Sequence, residues 1–79
     1  MKIPRDLSGS ALANALCRRW SDQVVHRVGS HIVLETEQPS HHRIAVPAHQ
    51  HLRVGTLNAI LRSIAEHKGV ERQDILESL

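Results

Sequence analysis

The chain contains no tyrosine and no phenylalanine, and Trp20 is its only aromatic residue. Modules that grip single-stranded RNA by stacking bases on a sheet need exposed rings, so this absence counts against them. A single cysteine, Cys17, has no partner for an internal disulfide, and its place in a helical pattern between Leu16 and Arg18 points to a reducing compartment. No apolar run is long enough to span a bilayer as a helix. The opening residues Met1-Lys2-Ile3-Pro4-Arg5-Asp6 lack the apolar core of a secretory signal, so the expected location is the cytoplasm, without a membrane partner. Repeats, low-complexity tracts and linkers are missing as well.

What remains is 79 residues, 41% hydrophobic and 23% charged, the balance of one small folded domain spanning residues 1–79. A chain of this size hides only roughly 60–65% of its unfolded surface, so its core is thin, and it is too short to enclose a large substrate pocket. Ten Lys and Arg against eight Asp and Glu give a formal charge of +2, with seven histidines besides. That excess fits a polyanionic partner and fits a bland soluble protein equally. The bases and histidines outnumber the acids from Arg18 to Arg53, while acids predominate from Glu66 to Leu79.

Read in order, Ser8 is the expected N-cap of a first helix, with Ser10 competing, and the helix runs to about Arg19. Leu12, Leu16 and Trp20 recur at spacings of four beside Ala11 and Ala15, an apolar stripe that Trp20 closes. After Ser21-Asp22 the period becomes alternating. Gln23 to Val28 reads as a strand, with Val24, His26 and Val28 on one face and Gln23, Val25 and Arg27 on the other. Gly29-Ser30 suits a tight hairpin turn, and His31 to Glu37 forms a second strand with His31, Val33 and Glu35 on one face. Glu35 and Glu37 read as a charged rim. Gln38-Pro39-Ser40-His41 is the next turn, and a third strand covers about His42 to Val46. A polar loop leads to Gly55-Thr56, where either residue caps a helix carrying Leu57, Ile60, Leu61, Ile64 and Ala65, which Gly69 stops. Glu71 to Leu79 forms a last short helix.

The expected fold is α+β of order αβββα, like the double-stranded RNA-binding domain. A three-stranded antiparallel sheet carries two helices on one face and a short C-terminal helix, leaving the other face or its rim free.

Three patterns carry chemistry. His31 follows a glycine turn at the first position of an apolar strand, and imidazole alone can take and give a proton near neutrality. The pairs His41-His42 and His49-Gln50-His51 invite a metal, but no cysteine or acid stands at a recognised zinc spacing, so they read as solvated and no metal is expected. His26 and His67 read as structural. Thr56 after Gly55 reads as an ordinary cap before it reads as a phosphate site. A helix-turn-helix is rejected for Leu57 to Leu79, because Glu71, Asp74 and Glu77 stand where a recognition helix needs bases and amides.

Trp20 before the first strand, Gly29-Ser30-His31 at the hairpin, Ala45-Val46-Pro47 with His49 just beyond, and Gly55-Thr56-Leu57 leading to Ile60-Leu61 together resemble the HicA toxin family, also called YcfA-like. The resemblance runs from about Leu7 to Gly69. It implies the toxin of a type II toxin–antitoxin pair: an mRNA interferase on the double-stranded RNA-binding-like fold, using the hairpin histidine and neutralised by a HicB-type antitoxin. His31 is then the catalytic residue, with Arg27, Ser30, Arg43 and His49 expected on the RNA and neither metal nor other cofactor required. The chain departs from the family pattern where Ile32-Val33-Leu34 follow the histidine, and where the loop from His49 to Val54 carries Arg53 as its single base. The alternative is a non-catalytic RNA- or protein-binding module on the same fold, and a third reading is an inactivated relative kept for a regulatory complex.

Overall fold

The computed structural model describes residues 6–79; the reading of the polar opening residues 1–5 lies outside them. Six elements follow in order: α1 (Gly9–Arg19), β1 (Gln23–Val28), β2 (His31–Thr36), β3 (His42–Pro47), α2 (Val54–Lys68) and α3 (Arg72–Glu77). The strands form one antiparallel sheet in the order β1-β2-β3, the α+β αβββα layout that the sequence leads one to expect.

Ser8 caps α1. Its backbone is extended and its hydroxyl accepts from the Ala11 N–H at 3.0 Å, while Ser10 lies within the helix. Leu12, Ala13, Ala15 and Leu16 are buried, so two neighbouring rows of side chains face the core. The helix ends at Trp20, whose indole Nε1–H donates to Ser78 Oγ at 2.8 Å and so ties α1 to the chain end beyond α3. Ser21 then takes a positive φ of 63°, and the chain turns into the sheet.

On the helix side of the sheet Ile32 and Leu34 of β2 and Val46 of β3 are buried with Leu12, Leu16, Leu57, Leu61, Ile64 and Ile75, and Ile44 packs against them. Among the described residues, the opposite side of the sheet carries no helix. Both main helices therefore lie on one side.

Several boundaries differ from the sequence reading, each for a local reason. β1 does not alternate throughout: a bulge between Val24 and His26 sets Val24 opposite Leu34 and Arg27 opposite Ile32, on the helix side. Gln23, His26 and Val28 pair with Glu35, Val33 and His31 on the open side. β2 ends at Thr36 rather than Glu37, because Thr36 Oγ1 accepts the Gln38 N–H at 3.1 Å and bends the chain away from the ladder. Glu37 therefore stands in the turn, beyond the end of the strand. β3 runs one residue further, to Pro47, which pairs with His31.

The start of α2 also moves. Buried Leu52 donates its N–H to the Leu7 carbonyl at 2.9 Å, and the helix begins at Val54 with Arg53 as N-cap and no side-chain cap bond. Neither Gly55 nor Thr56 is the cap; both lie in the first turn. Gly69 ends α2 at φ 71°, as expected. α3 is shorter than its apolar pattern, and Glu71 and Asp74 form a reciprocal capping box at its start.

Candidate active site

His31 is exposed on the open side, at the first position of the central strand, flanked by Val28 on β1 and Pro47 on β3. Local backbone chemistry puts it there. Gly29 has φ 56°, a conformation an L side chain rarely adopts, and the space around it is empty, so glycine is required by conformation and not by crowding. With Ser30 it makes the two-residue turn between the paired residues Val28 and His31.

The turn is tied to the loop after β3, and that loop to the start of α1. The Ser30 carbonyl accepts the Ala48 N–H, and the His49 carbonyl accepts the Gly9 N–H at 2.9 Å. A Cβ at Gly9 would stand 1.8 Å from the Pro47 carbonyl oxygen, so the start of α1 touches the end of β3 backbone to backbone. The hairpin, the loop after β3 and the start of α1 thus form one rim around His31.

Of the residues expected beside His31, Ser30 and His49 lie on this rim. Arg43 shares the open side but pairs with Glu35 at the far end, its Nε 3.7 Å from Glu35 Oε2. Arg43 lies four residue steps from Pro47, about 13 Å along the sheet. Arg27 sits on the helix side of β1 and points away from the open face. Neither arginine stands beside His31.

The other histidines divide between the two ends. His42 pairs with Thr36 and Pro47 with His31, so the register sets His41 and His42 at the opposite end of β3 from the loop of His49 and His51, and these four residues form no single cluster. His41 Nδ1 lies 2.7 Å from Glu37 Oε2, and this hydrogen bond raises the imidazole above its ordinary pKa. Glu35, Glu37 and His41 bring one donor atom each within 4.8 Å, a possible cation ligand set that sequence spacing did not reveal. The set is largely exposed, and Glu35 and Glu37 already have Arg43 and His41 as partners. Beside it a cleft of about 470 Å³ is lined by Ser21, Gln23, Val25, Glu35, Thr36, Glu37 and Gln38, at the end remote from His31.

His42 serves the fold. Its ring stacks on His67 with centroids 4.4 Å apart and 16° between planes, and its Nε2 shares a hydrogen bond with Ser63 Oγ at 3.3 Å. Burial first, and then the neighbouring His67, lowers its pKa. His67 is structural as read: the Ser40 carbonyl, which can only accept, takes a hydrogen from its Nε2 at 2.9 Å. His26 lies on the open side, exposed.

Below the stack Lys68 stands 3.6 Å from buried Asp22 and donates to Thr36 Oγ1 and the Gln38 carbonyl. Burial raises the Asp22 pKa, and Lys68 opposes that shift. Cys17, half-buried, has its thiol pKa raised by burial, which holds it in the protonated, unreactive form. The site's chemistry is therefore that of an exposed imidazole on a rigid rim. Comparison with protein-family models, with curated proteins and with solved structures finds no match to this chain.

Proposed function

We propose that this chain is a HicA-type mRNA interferase, a toxin of a type II toxin–antitoxin system, whose metal-independent RNA cleavage depends on His31. The observation that carries the reading is the presentation of His31: exposed, first on the central strand, and held by a hairpin bonded to the loop after β3, which the start of α1 holds in turn. The αβββα element order supports this reading, as does the Gly29-Ser30-His31 turn between the first two strands.

Cleavage of RNA without a metal needs a base for the 2′-hydroxyl, an acid for the departing 5′-oxygen and donors for the charged phosphorane. His31 supplies one proton-transfer role, worth about 10² to 10⁴ in rate. Ser30 and His49 lie close enough along the rim to meet the same nucleotide. Arg43, at the far end of the open side, reaches a flanking phosphate, which fixes the strand's position and not its chemistry. Arg27, on the other side, takes no part. A HicB-type antitoxin neutralises the protein by covering the rim.

Expression of the wild type and of His31→Ala in cells without an antitoxin tests this. The wild type arrests growth and depletes mRNA, and the variant accumulates as folded protein and does neither. Equal tolerance of both chains, with RNA bound but uncut, sets the enzyme aside and leaves the non-catalytic binding module.

A further inference from the structure

The open side of the sheet presents a second imidazole. His26 pairs with Val33, and Val33 lies two residues from His31 on the same strand and the same side. Val28, two residues from His26, stands directly opposite His31. The two histidines are therefore diagonal neighbours at the corners of a four-residue patch, about 7–8 Å apart. The bulge at Val25 makes this corner distinct: it turns Val24 to the helix side and leaves His26 and Val28 on the open side. Both histidines are exposed. Among the described residues the histidine side-chain hydrogen bonds belong to His41, His42 and His67, so neither His26 nor His31 is committed to another side chain.

We propose that His26 is the acid–base partner of His31, so that the two imidazoles bracket one phosphodiester. This rests on the interferase reading and adds the missing half of its proton chemistry. In an in-line displacement the attacking and leaving oxygens lie on opposite sides of phosphorus, and each needs a nitrogen within about 2.6–3.2 Å. Diagonal positions on a sheet match that span, whereas adjacent positions bring both rings to the same oxygen. One neutral imidazole takes the 2′-hydroxyl proton as the O2′–P bond forms. The other, protonated, gives its proton to O5′ as the P–O5′ bond breaks. The products are a 2′,3′-cyclic phosphate and a 5′-hydroxyl, and the two rings have exchanged protonation states.

The test compares wild type, His26→Ala, His26→Gln and His31→Ala on RNA and on uridine 3′-(4-nitrophenyl phosphate), whose leaving group needs no acid. The readout is kcat/KM across pH 4.5–8.5. The expected wild-type profile on RNA is a bell. His26 and His31 variants each lose about 100-fold or more on RNA. Each also loses one limb, a different one for the two histidines, and the variant lacking the acid recovers on the nitrophenyl ester. If the His26 variants keep the bell and a rate within threefold of wild type, His26 is a bystander and the interferase reading stands without it. If they lose activity with both limbs intact and neither histidine variant recovers on the ester, His26 binds RNA only and the pairing is wrong. Absence of cleavage by the folded wild type removes the interferase reading itself.

Discussion

At Gly9 the fold has no room for one added methyl group, because a Cβ there would collide with the Pro47 carbonyl, a backbone atom that cannot swing aside. Gly9→Ala is therefore expected to destabilise the protein by about 1–3 kcal/mol or more, seen as a lower urea midpoint. Because Pro47 pairs with His31, the same change loosens the rim. His42 offers a pH test. Its pKa is lowered in the fold, so the unfolded chain binds the proton more readily; the stability this contributes is present above pH 6.5 and is lost as the pH falls through the folded value. Asp22 has the opposite sign. Its raised pKa contributes stability that is complete below 3.8 and is lost as the pH rises through the folded value. Between pH 7.5 and 5.5 His42 removes stability as the pH falls, while the raised pKa of exposed His41 acts in the opposite sense, so the test is the difference between two proteins. Relative to wild type, His42→Gln loses less stability by chemical denaturation as the pH falls across that interval. An unchanged slope in that variant contradicts the assignment.

Between elements, the contact with the largest predicted consequence joins residues 22 and 68, which no local pattern connects. Removing the ammonium with Lys68→Ala leaves the Asp22 carboxylate buried without a counter-charge, and the expected loss is about 3–5 kcal/mol, a large part of a small domain's stability. A smaller effect tests the link from α1 to the chain end. Trp20→Phe keeps most of the ring volume and removes the hydrogen bond to Ser78, at about 0.5–1.5 kcal/mol. The elements legible in the sequence are those whose signals are local: the Ser8 cap, the spacing of Leu12 and Leu16, the Gly29-Ser30 turn, the stop at Gly69. The unread features depend on partners far along the chain. The bulge at Val25 exists only against β2, the early start of α2 is set by Leu7 holding Leu52, and the stacking of His42 on His67 spans 25 residues of chain. The candidate site divides the same way. Ser30 and His31 are adjacent in sequence and adjacent in space, whereas the distance from Arg43 to His31 and the diagonal placement of His26 follow from strand register.

As a whole the molecule is a two-layer body, 31 × 30 × 19 Å with a radius of gyration of 11.4 Å, one side of whose sheet is left bare. All six residues of β1 are exposed, and Val25 and Val28 present 46% and 55% of their surface, so this sheet has an edge and a face available to a partner. Under the proposed function, the absence of aromatics on that face implies binding along the RNA backbone and not by base stacking, and the small formal charge of +2 implies few phosphate contacts, hence weak binding with a shallow salt dependence. Among the described residues no helix is long and apolar enough to cross a membrane. The central claim is that His31 cuts RNA without a metal. The direct measurement is cleavage of an RNA by purified wild type and purified, folded His31→Ala in excess chelator, with the product ends identified. The account predicts a cyclic phosphate and a 5′-hydroxyl from the wild type and a rate lower by about 100-fold or more from the variant. Equal cleavage by the two proteins, or cleavage that chelation abolishes, contradicts it.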